Sequence, residues 1–215
     1  MMKLYDLTLK DFVEAIDSNS PAPGGGSVSA LSATMGVALS RMVGHLTVEK
    51  KKFLALPKEI QYEFIDVNRA LILIKDELKA MIDEDTNAFN LIMKAYKLPK
   101  NNAIEVMERN QAIQAGTLEA IRVPIKVATL SLSALHQLPI ILKYGNSSAI
   151  SDLGVSVLML SAAIEGACMN VLINLPGLDD QILKHQYEHQ VKDLMHMMND
   201  SKKTLLTQVY EYLEK

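Results

Sequence analysis

The chain has 215 residues, of which 49% are hydrophobic and 22% charged, and carries a formal net charge of −3. This composition supports a substantial core, excludes a disordered chain and gives no nucleic-acid footprint, which would need clustered basic surface. The single cysteine, Cys168, excludes an internal disulfide, and the lack of Trp with only 4 Phe leaves little strand signal.

The opening MMKLYDLTLKDF lacks the basic-then-apolar order of a signal peptide. No uninterrupted apolar run reaches the ~18 residues of a membrane span. Leu153 to Ile164 comes closest, and Glu165 ends it. The expectation is a soluble, cytoplasmic protein with no membrane partner. Periodicity near 3.6 residues dominates, and it predicts an all-α bundle of long helices forming a single domain over 1–215.

Tyr5 to Ile16 reads as a short helix with Asp6 or Thr8 as its cap. Next comes SPAPGGGSVSALSATMG, from Ser20 to Gly36. The prolines predict extended or turned backbone. Gly24, Gly25 and Gly26 permit positive φ and leave no side chain between the backbone and whatever approaches it. Ser27 to Leu46 reads as a helix with a stripe of small residues, Ala30, Ala33, Val37, Ser40 and Gly44, suited to close helix packing. From Phe64 a seam runs through Val67, Leu71, Ile74, Leu78, Met81, Asp85, Ala88, Ile92 and Ala95, sustained for about nine turns. Asp85 is the misfit. A buried carboxylate is costly unless it is paired or hydrogen-bonded, so Asp85 is the first candidate site residue.

Pro99 closes that helix. Asn102 to Val123 forms the next, with Pro124 marking a break or kink before Ile125 to Tyr144. Gly145 and Asn146 predict a turn. Ser148 to Leu175 reads as a long helix, polar at both ends of one stripe (Asp152, Asn170 and Asn174), and Leu178 to Leu213 as the last. Long seams rich in small residues also suggest helix packing within a dimer.

Other polar groups have two readings each. His185, His189 and His196, with Asp193 between them, could share a face and hold a metal. Their polar surroundings on one helix read instead as an exposed face, and no metal is expected. His45 reads as structural rather than as a general base. Glu49-Lys50-Lys51-Lys52 is either a solvated run or an attractor for a polyanion. The glycine loop is either a turn for tight packing or a helix N-terminus offering N–H groups to an anion or carbonyl. It lacks the lysine of a P-loop and the preceding strand of a dinucleotide fingerprint.

Seven segments occur in order: SPAPGGGSVSAL, LTVEKKKF, DEDTNAF, AYKLPK, the R-N-Q-A-I-Q-A stretch from Arg109, GNSSAISD and NVLINL. Together they resemble the cyclodeaminase/cyclohydrolase family, the C-terminal domain of formiminotransferase-cyclodeaminase and its free-standing bacterial relatives. The similarity runs from Asp11 to about Asp180. It implies a helical folate enzyme, active as a homodimer or higher homo-oligomer, with no bound cofactor and a tetrahydrofolate derivative as substrate. Two reactions are implied: closure of 5-formiminotetrahydrofolate to 5,10-methenyltetrahydrofolate with release of ammonia, or hydrolysis of the methenyl form to 10-formyltetrahydrofolate. A helical folate-binding or scaffold protein without turnover is the alternative of another class.

Set against that resemblance, Asp85 and Asp152 are the candidate acid–base carboxylates. Arg109, Lys51 and Lys52 suit the glutamyl tail of folate, including a polyglutamylated one, by charge. Asn170 and Asn174 suit the pterin edge, Asn146 lies close to Asp152, and Gly24–Gly26 with Ser27 let backbone N–H groups approach the ligand. Asn170 stands ~27 Å from Asp152 along a straight helix at ~1.5 Å per residue, so the site is expected at a subunit interface.

Overall fold

The computed structural model describes residues 3–215, and among them lie seven α-helices and no strand. They are α1 (Leu9–Ile16), α2 (Gly25–Val48), α3 (Lys51–Leu54), α4 (Lys58–Tyr96), α5 (Ala103–Tyr144), α6 (Ile150–Asn174) and α7 (Gln181–Leu213). Short 3-10 turns at Leu4–Asp6, Ser147–Ala149 and Leu175–Gly177 connect them. Thr8 caps α1 by accepting the Asp11 N–H. Asn102 and Asp180 cap α5 and α7 in the same way, each satisfying one of the N–H groups a helix start leaves free.

The long helices alternate in direction. α2, α4, α5 and α6 form a four-helix bundle in which α2 and α5 sit diagonally, and α7 covers the α5–α6 edge. The small-residue stripe of α2 faces inward: Ala30, Ala33, Val37, Ser40 and Gly44 are all buried. Gly36 lets α2 approach α6 so closely that a Cβ there would lie 3.0 Å from the Leu160 side chain. Ser40 and Ser156, fully buried, bond each other at 2.6 Å across that contact. The α4 seam is core, with Phe64, Leu71, Leu78 and Met81 at 0–2% exposure.

Four boundaries depart from expectation. Residues 5–16 split into a 3-10 turn and α1, because Leu4 is held by the Asp83 carboxylate, which accepts its N–H. α2 starts at Gly25 rather than Ser27, and α3 was not anticipated. Pro124 and Pro139 lie inside one continuous α5. Pro124 is buried in the bundle, where tertiary contacts outweigh the lost hydrogen bond. α5 and the stretch Ser147–Gly177 are also long and apolar enough to cross a membrane, since occasional polar residues do not interrupt such a helix; half of each most apolar window is buried against other helices.

Candidate active site

α2 begins at Gly25 with Gly24 as its N-cap, and no side chain of its own accepts the first free N–H groups. The acceptor comes from another helix. α4 runs antiparallel to α2, and this places Asp85 beside the first turn of α2. Both the Ser27 amide and its hydroxyl point at the Asp85 carboxyl, with Ser27 Oγ 3.2 Å from Oδ2. Ser27 Oγ also lies 2.8 Å from the Ile82 carbonyl and 3.2 Å from Thr86 Oγ1. Its one proton is shared between the Ile82 carbonyl and the Asp85 carboxyl, to which the hydroxyl donates.

Burial pushes the Asp85 pKa above the ordinary carboxylate range, and the two Ser27 hydrogen bonds only partly oppose this.

Glycine is required here by space. None of the described glycines has positive φ, contrary to the conformational freedom expected of Gly24–Gly26. A Cβ on Gly26 would overlap the Asp85 carboxyl, and one on Gly25 would lie 3.3 Å from Asn170 Nδ2. The loop is therefore gripped between α4 and α6.

Asn170 donates to the Gly166 carbonyl at 2.8 Å. Asn174 donates to Asn170 and, at 3.3 Å, to the Ala120 carbonyl of α5. Asp85, Gly24–Ser27, Asn170 and Asn174 thus gather at one end of the bundle.

The other candidates lie elsewhere in the chain. Lys51, Lys52 and Asn146 line a cleft of about 640 Å³ at the opposite end, together with Lys50, Lys143 and Tyr212. The Asn146 N–H donates to Thr47 Oγ1 at 2.8 Å. From Ser27 to Thr47 is about 30 Å along α2. Asp152 sits half-buried in the first turn of α6, at that same far end, where its charge complements the helix N-terminus. Asp85 and Asp152 therefore share no cleft within one chain, because α6 and α2 carry them to opposite ends.

Arg109 lies near the start of α5, at its hairpin with α4. Its guanidinium bonds the Tyr96 carbonyl at 3.4 Å and lies 5.5 Å from the Tyr96 ring centroid, closing the α4–α5 hairpin about 16 Å along α4 from Asp85. His185, His189 and His196 are exposed, each beside an acidic neighbour on α7, and the described residues hold no cluster that could bind a metal.

The formiminotransferase-cyclodeaminase family profile matches residues 8–193. The chain belongs to this family.

The formimidoyltransferase-cyclodeaminase of Rattus norvegicus is 35% identical over 192 residues, covering 89% of this chain and 35% of the rat protein. The chain thus spans about a third of that relative's length. The methenyltetrahydrofolate cyclohydrolase of Methylorubrum extorquens is 33% identical over 188 residues, covering 87% of this chain and 88% of that one. The crystal structure of formiminotetrahydrofolate cyclodeaminase from Thermotoga maritima superposes with a TM-score of 0.78 at 25% identity, covering 99% of this chain and 98% of that one.

The family match ends inside α7, so Tyr212 in the wall of the cleft lies beyond it. Sequence reasoning missed two groups at the Asp85 end. Thr86 was hidden as an ordinary neighbour of Asp85. Glu165 is the one acid in the apolar middle of α6, half-buried, and its charge adds to burial in raising the Cys168 pKa.

Proposed function

We propose that this chain is a folate one-carbon enzyme that closes 5-formiminotetrahydrofolate to 5,10-methenyltetrahydrofolate with release of ammonia, working as a homodimer or higher homo-oligomer. The observation that carries this is the Asp85 carboxyl, with its pKa raised by burial, in a cradle of glycine backbone and Ser27. Ring closure forms a bond from N-10 to the formimino carbon and breaks that carbon's bond to the imino nitrogen. Ammonia leaves with the imino hydrogen, the N-10 hydrogen and one proton from solution, and the positive charge spreads over N-5, the carbon and N-10. Asp85 takes the N-10 proton and returns one to the departing nitrogen, a role that needs a carboxyl able to exist in both forms near working pH. Its ionised form also stabilises the cationic product.

The proton transfers are assigned to side chains alone, with no metal or bound cofactor. Asn170 and Asn174 frame the pterin edge, while Lys51 and Lys52 take the glutamyl tail. Arg109 touches the Tyr96 carbonyl with only two of its five N–H groups and is a further candidate for the tail.

Cyclohydrolysis of the methenyl compound is the second reading. It is favoured by the match to the Methylorubrum protein over 88% of that chain. The same carboxyl would then activate water and protonate the opening N-5. The near-ultraviolet absorbance of methenyltetrahydrofolate separates the readings. Its appearance from 5-formiminotetrahydrofolate with ammonia, lost in Asp85→Asn, supports cyclodeamination. Accelerated disappearance alone supports cyclohydrolysis, and no change in either direction leaves a non-catalytic binder.

A further inference from the structure

Among the described residues, α2 and α5 are the helices packed along α4. α2 starts at Gly25, level with Asp85, so past that residue α5 alone remains beside α4. The rest of α4 divides by face. Ala88 and Ala95 are 3% and 4% exposed, and a Cβ on Gly116 of α5 would lie 3.1 Å from the Ile92 amide nitrogen, so Ala88, Ile92 and Ala95 form the side toward α5. One position further on, about 100° around the helix, stand Phe89, Met93 and Tyr96. They continue the stripe on which Ile82 shares an apolar hollow with Leu31 and Asp85 meets Gly26. Here that stripe has run past the helix it packs on. Phe89 is half-buried, Met93 is 39% exposed and Tyr96 is 53% exposed.

An open apolar stripe that adjoins a polar site marks where a ligand lies, and the groups at its two ends say which ligand. The Asp85 carboxyl stands at one end. At the other, the Arg109 guanidinium rests on the Tyr96 carbonyl, 5.5 Å from the Tyr96 ring centroid, with N–H groups to spare for an anion. The order along the stripe is carboxyl, aromatic ring, thioether, aromatic ring, cation. It complements a flat ring held between a reacting nitrogen and a carboxylate, which is the half of a tetrahydrofolate beyond N-10. That half spans about 10 Å at ordinary bond lengths, and a hydrogen bond of about 2.8 Å at each end brings it close to the ~16 Å from Asp85 to Tyr96. Phe89 stands one turn, ~6 Å, from Asp85, at the level of the ring.

We infer that this overhanging stripe of α4 is the binding track for the p-aminobenzoylglutamate half of the substrate. Phe89 stacks on its ring, Met93 and Tyr96 lie along its amide, and Arg109 holds a glutamyl carboxylate. This rests on the reading of Asp85 as the group at N-10, and it adds a specificity: a reduced pterin without the benzoyl half binds poorly, however well Asp85 is placed.

The chain has no tryptophan, so Phe89→Trp supplies a single fluorophore on the track. Saturable quenching by 5-formyltetrahydrofolate and by p-aminobenzoylglutamate, with none by 6-methyltetrahydropterin, is the expected result, and Arg109→Gln in that background should weaken p-aminobenzoylglutamate about tenfold. If Phe89→Trp fails to fold, Met93→Trp, more exposed on the same stripe, carries the titration. In turnover, Phe89→Leu is expected to raise KM about tenfold with kcat within about twofold, and Phe89→Tyr to restore it. Quenching by the pterin alone, or turnover with a tryptophan that no ligand quenches, overturns the track and leaves the folate reading standing. An emission that shifts with protein concentration and not with ligand puts a second copy on the stripe and overturns it likewise. Quenching by p-aminobenzoylglutamate in a parent without turnover keeps the track and overturns the reaction instead.

Discussion

At Asp85 one carboxyl both caps a helix and carries the proposed proton transfer. General acid–base groups contribute ~10²–10⁴ in rate, so Asp85→Asn is expected to lower kcat by about that factor. Its stability effect has the opposite sense. The folded chain holds the Asp85 proton to a higher pH than the unfolded chain does, so stability is lost as pH rises through the interval between the two pKa values. Asp85→Asn removes that loss, and its melting temperature relative to the parent should rise with pH above the ordinary carboxylate range. A relative gain toward acid instead would show a carboxylate stabilised by folding. Gly26→Ala forces a methyl group into the same carboxyl and is expected to cost about 1–3 kcal/mol in urea unfolding, against a smaller loss for Gly25→Ala, whose neighbour is the end of an Asn side chain. Cys168, 2% exposed with its pKa pushed up to about 11, should resist thiol reagents at pH 8 until the chain unfolds.

The elements were legible where one physical signal acted alone. The α4 seam follows helical spacing from Phe64 to Ala95, and its buried members are the expected ones, so Leu78→Ala should cost about 2–5 kcal/mol in the same urea titration. Asp85 stood out as the single violation of that seam, which is why this part of the candidate site could be read directly. The rest depended on tertiary facts. Pro124 looked like a break because local rules penalise it, yet it lies buried within one continuous α5. The role of Gly26 was hidden because the group that excludes a side chain there lies 59 residues away. Arg109 and Lys51 are alike in charge, and only the fold shows that they stand far apart, one at the α4–α5 hairpin and the other in the cleft.

For the whole molecule, alternating helix direction fixes which residues share an end. Gly25 meets Asn170 and Ser27 meets Asp85 at one end; Asn146 meets Thr47 at the other. No rearrangement of side chains within one bundle can close that gap. At low ionic strength the lysines proposed to take the glutamyl tail should matter most. KM for a polyglutamylated substrate is expected to rise steeply with salt while kcat stays level, and a salt-independent KM would remove the lysines from substrate recognition.

The Ser27 amide reaches its acceptor only while α4 is docked on α2. Its exchange with solvent deuterium is therefore a built-in reporter of that docking. A ligand that draws the Asp85 carboxyl toward itself must release this amide, and occupancy of the site can be read from a single backbone proton without any chromophore.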